Sequence, residues 1–296
     1  MINKTSTTLI SIEGLDCSFK ETNVAALKKQ LEKDGYSVLS YDFPQYNRNS
    51  SYFVRSFLNN PIYRDPEPLT IEDCCKYCIY YGLDRYDTYL NDIKDNMGKV
   101  DVILFDRYVT SNLHNAARML PDKYSALEVL EWFYRFDYDI LRLPQEDLSI
   151  FLRMPYETSK IIRSAKAGKD LNESDEEFCK KSYEMFDMVY TREIKESKYD
   201  KNFSYTTDFI KQWINDIMHE SILGNDIMHE SILGIAPMTT GYVDLDADGI
   251  DYVKTLTDVE ERNKSKEIIF SKIMDQFYGS IKTIIDYRRK EYGKPI

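Results

Sequence analysis

Thr7-Thr8-Leu9-Ile10-Ser11-Ile12-Glu13-Gly14-Leu15-Asp16-Cys17-Ser18-Phe19-Lys20-Glu21-Thr22 runs from a β-rich apolar stretch into a tight turn, and Asn23 to Leu31 follows with helical spacing. The order is strand, turn, helix. In the phosphate-binding pattern G-x-x-x-x-G-K-[ST], glycines let backbone N–H groups converge on phosphate, the lysine contacts the outer phosphates, and the hydroxyl serves Mg²⁺. Gly14 and Lys20 stand at the required separation. The second glycine is replaced by Phe19, and the hydroxyl position holds Glu21 with Thr22 one place later. Phe19 can serve in such a loop only if its backbone stays at negative φ, since a bulky residue at positive φ is strained. Alone, the turn fits a phosphate loop or an ordinary strand-to-helix corner equally well.

Outward from the turn, Tyr36 to Tyr41, Val100 to Phe105, Leu148 to Arg153 and Gly241 to Asp246 read as further strands, separated by helical stretches. Such alternation predicts an α/β fold, a parallel five-stranded sheet flanked by helices in three layers, and with a phosphate loop at Gly14 it would be of the P-loop NTPase type. Residues 1–198 form its core. Charged helical segments between Glu157 and Lys198 break at Lys166-Ala167-Gly168-Lys169-Asp170, which puts a lid near 160–173. Residues 199–240 read as an insertion, in which Asn215 to Gly224 recurs letter for letter as Asn225 to Gly234. Two copies are too few for a solenoid, and a ten-residue shift rotates a helix face by roughly 80°. The repeat is a local tandem duplication, and its His219 and His229 sit in no zinc pattern. Residues 241–280 supply the last strand and helix; 281–296 form a basic helical tail whose role the sequence leaves open.

The chain has 296 residues, 43% of them hydrophobic, enough for a full core. Its net charge of −11 disfavours a broad grip on a nucleic acid polymer or an anionic membrane, but allows a small anionic ligand held by local cations. No apolar run reaches a membrane span, and the polar start lacks a signal-peptide core, so a cytoplasmic protein is expected. Five cysteines are no disulfide framework. Cys74 and Cys78 lie four apart, which suits one buried helical stripe better than a metal site.

Three more segments carry chemistry. Asp106-Arg107-Tyr108-Val109-Thr110-Ser111-Asn112 begins at the carboxyl end of the third strand, the edge where open α/β sheets bind ligands. Tyr81 and Arg85 share a helix face, offering an aromatic ring and a guanidinium together. Phe43-Pro44-Gln45-Tyr46 follows the second strand. With the Glu13 to Thr22 turn, these segments resemble the thymidylate kinase family's E-G-x-D-G-x-G-K-[ST]-T, F-P-x-[RY], F-x-x-[DN]-R and D-R-Y-x-x-S-N, in that order, across roughly residues 7 to 190.

The resemblance implies phosphoryl transfer from ATP, with Mg²⁺, to dTMP. Gly14, Leu15, Asp16, Cys17, Ser18, Phe19, Lys20, Glu21 and Thr22 would cradle the donor phosphates. Asp106 would hold hydrated Mg²⁺, with Thr22 as a second candidate. Lys20, Arg107, Asp16 and the lid residue Arg163 would be catalytic, Arg163 being the candidate to reach the transferred group. Asp16 would meet the acceptor's 3′-hydroxyl and Tyr46 its phosphate. Tyr81 would stack on the base, Arg85 and Arg107 would orient base and phosphate, and Ser111, Asn112 and Asn115 would face the pyrimidine edge. Lys166 and Lys169 add cations to the lid, and Asp170 and Glu173 resemble its acidic positions. The family also implies a homodimer. Two other readings stay open: a deoxynucleoside kinase, and a nucleotide-binding module whose Phe19 and Glu21 impair catalysis.

Overall fold

The computed structural model describes residues 5–166, 168–196, 205–206, 239–245 and 258–292. The tandem repeat, with His219 and His229, lies outside the described residues. The strands are β1 (Thr8–Gly14), β2 (Val38–Asp42), β3 (Val102–Asp106), β4 (Leu148–Arg153), β5 (Tyr205–Thr206) and β6 (Thr239–Asp244). They form one sheet in the order β2-β3-β1-β4-β6-β5. Five strands are parallel, as the alternating pattern requires. The two-residue β5 adds an antiparallel edge on β6, from a segment in which no strand was expected.

Every residue of the central β1 is buried, the polar Thr8, Ser11 and Glu13 as well as Leu9, Ile10 and Ile12. Alternate side chains feed two cores. Leu9, Ile103, Phe105 and Phe151 face one layer, whereas Ile10, Ile12, Leu104, Ile150 and Leu152 face the other. The first layer is built by α3 (Ile71–Thr88), the short α4 (Lys94–Asn96) and α5 (Leu113–Ala116), α6 (Lys123–Tyr134) and α8 (Glu176–Glu196); α2 (Tyr52–Asn59) packs outside α3. The second layer is α1 (Lys20–Lys33) with α9 (Val259–Ile273) and α10 (Gly279–Tyr292).

A π-helical turn, Met274–Tyr278, joins α9 to α10 in one continuous rod. Its buried residues Ile269, Ile273, Phe277, Ile281 and Ile285 recur every fourth position. In a pure α-helix such a stripe drifts by about 40° per step. The wider π turn rotates it back onto the sheet. The basic stretch after residue 280 thus belongs to the core: Arg288 is buried against Asp147, whose other oxygen accepts the Leu9 N–H at 2.9 Å. Arg289 reaches Asp101 at 2.7 Å. Cys74 and Cys78 are fully buried on α3. No helix among the described residues is long and apolar enough to cross a membrane.

One buried acid makes the fold pH-sensitive. Glu146 accepts from the Tyr138 hydroxyl, and burial pushes its carboxyl from an ordinary 4.5 up to about 8 despite that hydrogen bond. The folded state therefore keeps a proton that the unfolded chain releases. Stability from this group is complete below about pH 4.5 and is lost as pH rises to about 8. Glu146→Gln is expected to flatten that dependence, so that the variant's melting temperature gains on the parent's between those limits. A parallel pair of melting curves against pH would contradict it.

Candidate active site

The register of β1 with β3 and β4 sets Ile12 opposite Asp106 and Gly14 opposite Leu152. The Gly14 turn and the Asp106-Arg107-Tyr108 segment therefore leave the sheet side by side at its carboxyl edge. Glu13, wholly buried, ties them together by accepting from the Tyr108 N–H at 2.8 Å and from the Ser111 hydroxyl. Burial pushes this carboxyl upward, opposed by Ser111 and Arg107.

Gly14 is a glycine for want of space: a Cβ there would stand 2.4 Å from Ser18 Oγ and 3.1 Å from the Leu152 carbonyl oxygen. The turn then curls on itself. Ser18 Oγ donates to Leu15 O at 2.8 Å, and Lys20 Nζ donates to the same oxygen at 2.6 Å. Phe19 departs from the sequence expectation. Its φ is +61°, and that of Cys17 is +68°, so both residues adopt the left-handed conformation natural to glycine. Phe19 thus holds a backbone state that a glycine at this position would adopt without strain. Such strain costs about 1–3 kcal/mol per residue, offset at Phe19 by packing of its ring against the second core. Cys17 has no such packing. Cys17→Gly is expected to stabilise the fold by about 1 kcal/mol or less, the relief of strain exceeding the entropy cost of glycine; urea unfolding measures it, and a loss of stability would contradict it.

Charge is dense around the turn. Arg107, itself at φ +67°, donates to Gly14 O at 3.1 Å and to Asp16 Oδ1 at 2.6 Å. Burial would raise the Asp16 carboxyl, but Arg107 and Lys20 overcome it and hold it down to about 2. Burial and then Arg107 push Lys20 down to about 8. Asp106 is raised by burial, against Lys20 and Arg107, and its neighbours Asp42 and Glu21 add to the rise. Glu21 is exposed at the start of α1, and Thr22 is half-buried beside it.

Beside the turn opens a cleft of about 650 Å³. Asp16, Tyr46, Tyr81, Arg85, Arg107, Ser111, Asn112 and Asn115 all line it, with Asp170 from the lid. Tyr81 and Arg85 arrive on α3, whose start is fixed by a Thr70–Asp73 capping box. Arg85 is 2% exposed: it pairs with Asp137 at 2.7 Å, and Asn112 and Asn115 extend this polar floor at 3.4 Å each. Tyr46 is half-exposed, its phenol raised to about 12 by burial. Ser111 reaches the cleft with its hydroxyl proton already given to Glu13.

The lid falls between α7 (Tyr156–Ser164) and α8. It is docked: the Leu171 N–H donates to Leu58 O at 2.9 Å, and Arg64 and Arg118 both donate to Asn172 Oδ1, at 2.8 and 2.6 Å. Arg163 meets the phosphate loop through Ser159, whose Oγ donates to the Asp16 carbonyl oxygen at 3.2 Å. Arg163 is 4% exposed and bonds Ser159 at 3.4 Å and Glu176 at 3.1 Å. Lys166, paired with Glu173, is the lid cation whose field reaches Asp16 and Cys17. Lys169 is exposed.

Two working residues, Asp137 and His114, escaped the sequence reading, and a third, Asp84, stood in the Tyr81 to Arg85 motif without a role. Asp137, in the π turn Arg135–Ile140, anchors Arg85 from 52 positions away; an acid inside the run from Trp132 to Ile140 was its one signal. Asp84 fixes the Phe43-Pro44-Gln45 turn by accepting from the Gln45 N–H at 2.8 Å and Ser50 Oγ at 2.6 Å. His114, on α5 seven residues beyond Arg107, lines the cleft with Nε2 3.3 Å from the Arg107 guanidinium.

No curated protein sequence matches the chain. A solved structure of thymidylate kinase from Candida albicans is similar at 19% identity, over 88% of this chain and 93% of that one, with a TM-score of 0.47. The family model described as thymidylate kinase matches residues 12–217 of the 296. That span takes in the loop, the cleft and the lid, and the chain belongs to the thymidylate kinase family.

Proposed function

We propose that the chain transfers the γ-phosphoryl group of ATP to dTMP, giving ADP and dTDP. The family is one of ATP-dependent nucleoside monophosphate kinases; the acceptor is the finer reading. The observation that carries it is the convergence of eight acceptor-side residues, seven of them in the motifs and Asn115 just beyond the last, around a single cleft beside Lys20. A nucleoside monophosphate is already anionic at neutral pH, its second pKa lying near 6. One of its oxygens attacks the γ-phosphorus in line while the bond to the β–γ bridging oxygen breaks and ADP leaves. No general base is required, and the chain's work is positioning and charge neutralisation. Lys20 meets the donor phosphates and Arg107 the group in transit; Tyr81 and the Arg85–Asn112–Asn115 floor orient the base.

Mg²⁺ would neutralise charge on the β- and γ-phosphates. Among the described residues no three acidic, thiol or imidazole side chains converge at ligating distance. Mg²⁺ commonly keeps its waters and uses one or two carboxylates plus substrate phosphates, and Asp106, with Glu21 and Asp42 in its field, fits that habit. The family further suggests a cytoplasmic homodimer, which sedimentation tests.

A second reading, a deoxynucleoside kinase, has one observation in its favour. Both cleft arginines are already matched by carboxylates, Arg85 by Asp137 and Arg107 by Asp16, so a dianionic acceptor must take Arg107 from Asp16. A coupled ADP-release assay with dTMP and thymidine separates the two. Turnover with dTMP alone is expected; turnover with thymidine alone would establish the rival, and neither would leave a binding module.

A further inference from the structure

Arg107 has two differently held edges. Its Nη1 donates to two uncharged acceptors, the Gly14 carbonyl oxygen at 3.1 Å and His114 Nε2 at 3.3 Å, whereas Nη2 carries the ion pair with Asp16. A guanidinium only donates. His114 Nε2 is therefore the bare ring nitrogen, and the proton sits on Nδ1, which is buried with no hydrogen-bond partner among the described residues. The ring packs 4.8 Å from Phe186 and 6.2 Å from Phe178. Packing alone would accept a phenyl group there. The charges that face the imidazole are Arg107, Asp16, Lys20 and Arg118, and burial followed by Arg107 holds it down to about 3. It is neutral across the physiological range.

An orphaned buried donor asks for a compensating role. What the imidazole adds over a phenyl ring is an acceptor without charge. A carboxylate in its place would pin the guanidinium equally well, but would also neutralise the charge that a phosphate needs. We propose that His114 is a positioning residue for Arg107: it pins the Nη1 edge, so that Nη2 can exchange Asp16 for the acceptor phosphate without the guanidinium leaving the cleft. The inference rests on reading the cleft as a monophosphate-acceptor site. Asp16 is the natural leaving partner, being 38% exposed where Arg107 is 17% exposed.

The test uses the full chain with His114→Phe, which keeps the ring, and His114→Gln, which restores an uncharged acceptor. His114→Phe is expected to lower kcat/KM for dTMP about tenfold or more, through a raised KM for dTMP, with the KM for ATP unchanged. His114→Gln recovers most of the loss, and in an Arg107→Ala background His114→Phe adds nothing. The melting temperature of His114→Phe does not fall, because the orphaned donor is gone. Unaltered kinetics, or full additivity with Arg107→Ala, would overturn the proposal. An independent readout needs no turnover. The chain has three histidines, so the His114 ring is assigned in ¹H–¹⁵N spectra as the signals missing from His114→Phe. The neutral Nδ1-protonated form is expected from about pH 5 to pH 8; an Nε2-protonated ring, or a titration in that range, overturns the proposal. Failure of the parent chain to phosphorylate any nucleoside monophosphate would sink the functional reading instead, and leaves the tautomer result to decide the His114–Arg107 contact.

Discussion

Arg107→Ala is expected to reduce kcat/KM for dTMP phosphorylation by about 10²–10³-fold, the usual effect of removing one preorganised charge donor from a transition state. Arg107 is the point where the two halves of the site meet. One edge touches Gly14 O in the donor loop, and the other holds Asp16, which lines the acceptor cleft. Its backbone at φ +67° is strained to bring it there. The substitution also changes neighbouring ionisation in a readable direction. Asp16 loses the cation that chiefly lowers it and moves up from about 2, and Lys20 loses a repulsive neighbour and moves up from about 8. In the parent apoprotein Lys20 discharges as pH rises through about 8, so the alkaline limb of nucleotide binding should shift to higher pH in Arg107→Ala. Arg107→Lys should recover little, since an ammonium cannot span Gly14 O, His114 and Asp16 together. Steady-state kinetics and binding across pH measure both effects; a loss below about threefold would remove Arg107 from the chemistry.

Asp137→Ala carries the largest expected cost to stability, about 3–5 kcal/mol, because it strands a charge in the interior. Arg85 and Asp137 are 2% and 0% exposed. Burial lifts the Asp137 carboxyl to about 6 even with Arg85 beside it, so the pair is ionised at neutral pH but contributes little net stability. Replacing both partners by apolar residues, Arg85→Met with Asp137→Leu, is therefore expected to recover most of the stability while leaving dTMP binding impaired. The pair also explains Gly82. A Cβ there would lie 2.7 Å from Asp137 Oδ1 and 2.8 Å from Phe136 Cε1, so the glycine lets α3 close on the π turn that delivers the acid. Urea unfolding of the two variants decides this. A single variant as stable as the parent would contradict it.

Local signals carried the sheet and the cleft. Apolar runs of strand length located the five parallel strands, and motifs spaced along the chain hold seven of the eight cleft residues, with Asn115 three places beyond the last. What escaped depended on distance or on backbone state. Asp137 acts on a residue 52 positions away through a π turn that no periodicity announces. The left-handed Phe19 was judged from steric preference, which the closure of the turn over Leu15 O overrides. The sequence placed the helix up to residue 280 in the core but left the role of Ile281 and Ile285 open, because in a regular α-helix a stripe of every fourth residue drifts off the sheet. Arg163, named for the lid in sequence, is buried against Glu176 and Ser159, while the field of Lys166 reaches Asp16.

Phe19 and Glu21 bear on the reading of the chain as a silent binding module. Phe19 holds a backbone state natural to glycine, and Lys20 is present at the loop's end. Lys20→Ala should accordingly abolish turnover, whereas in a silent module no reaction would change.

The most direct measurement is a crystal structure of the chain with dTMP and ADP bound together. The account predicts the thymine ring against Tyr81, its polar edge toward Arg85, Asn112 and Asn115, its phosphate on Arg107 in place of Asp16, and the ADP phosphates over the Gly14 to Thr22 turn. A dTMP base outside the Tyr81 cleft, or ADP phosphates away from Lys20, would contradict it.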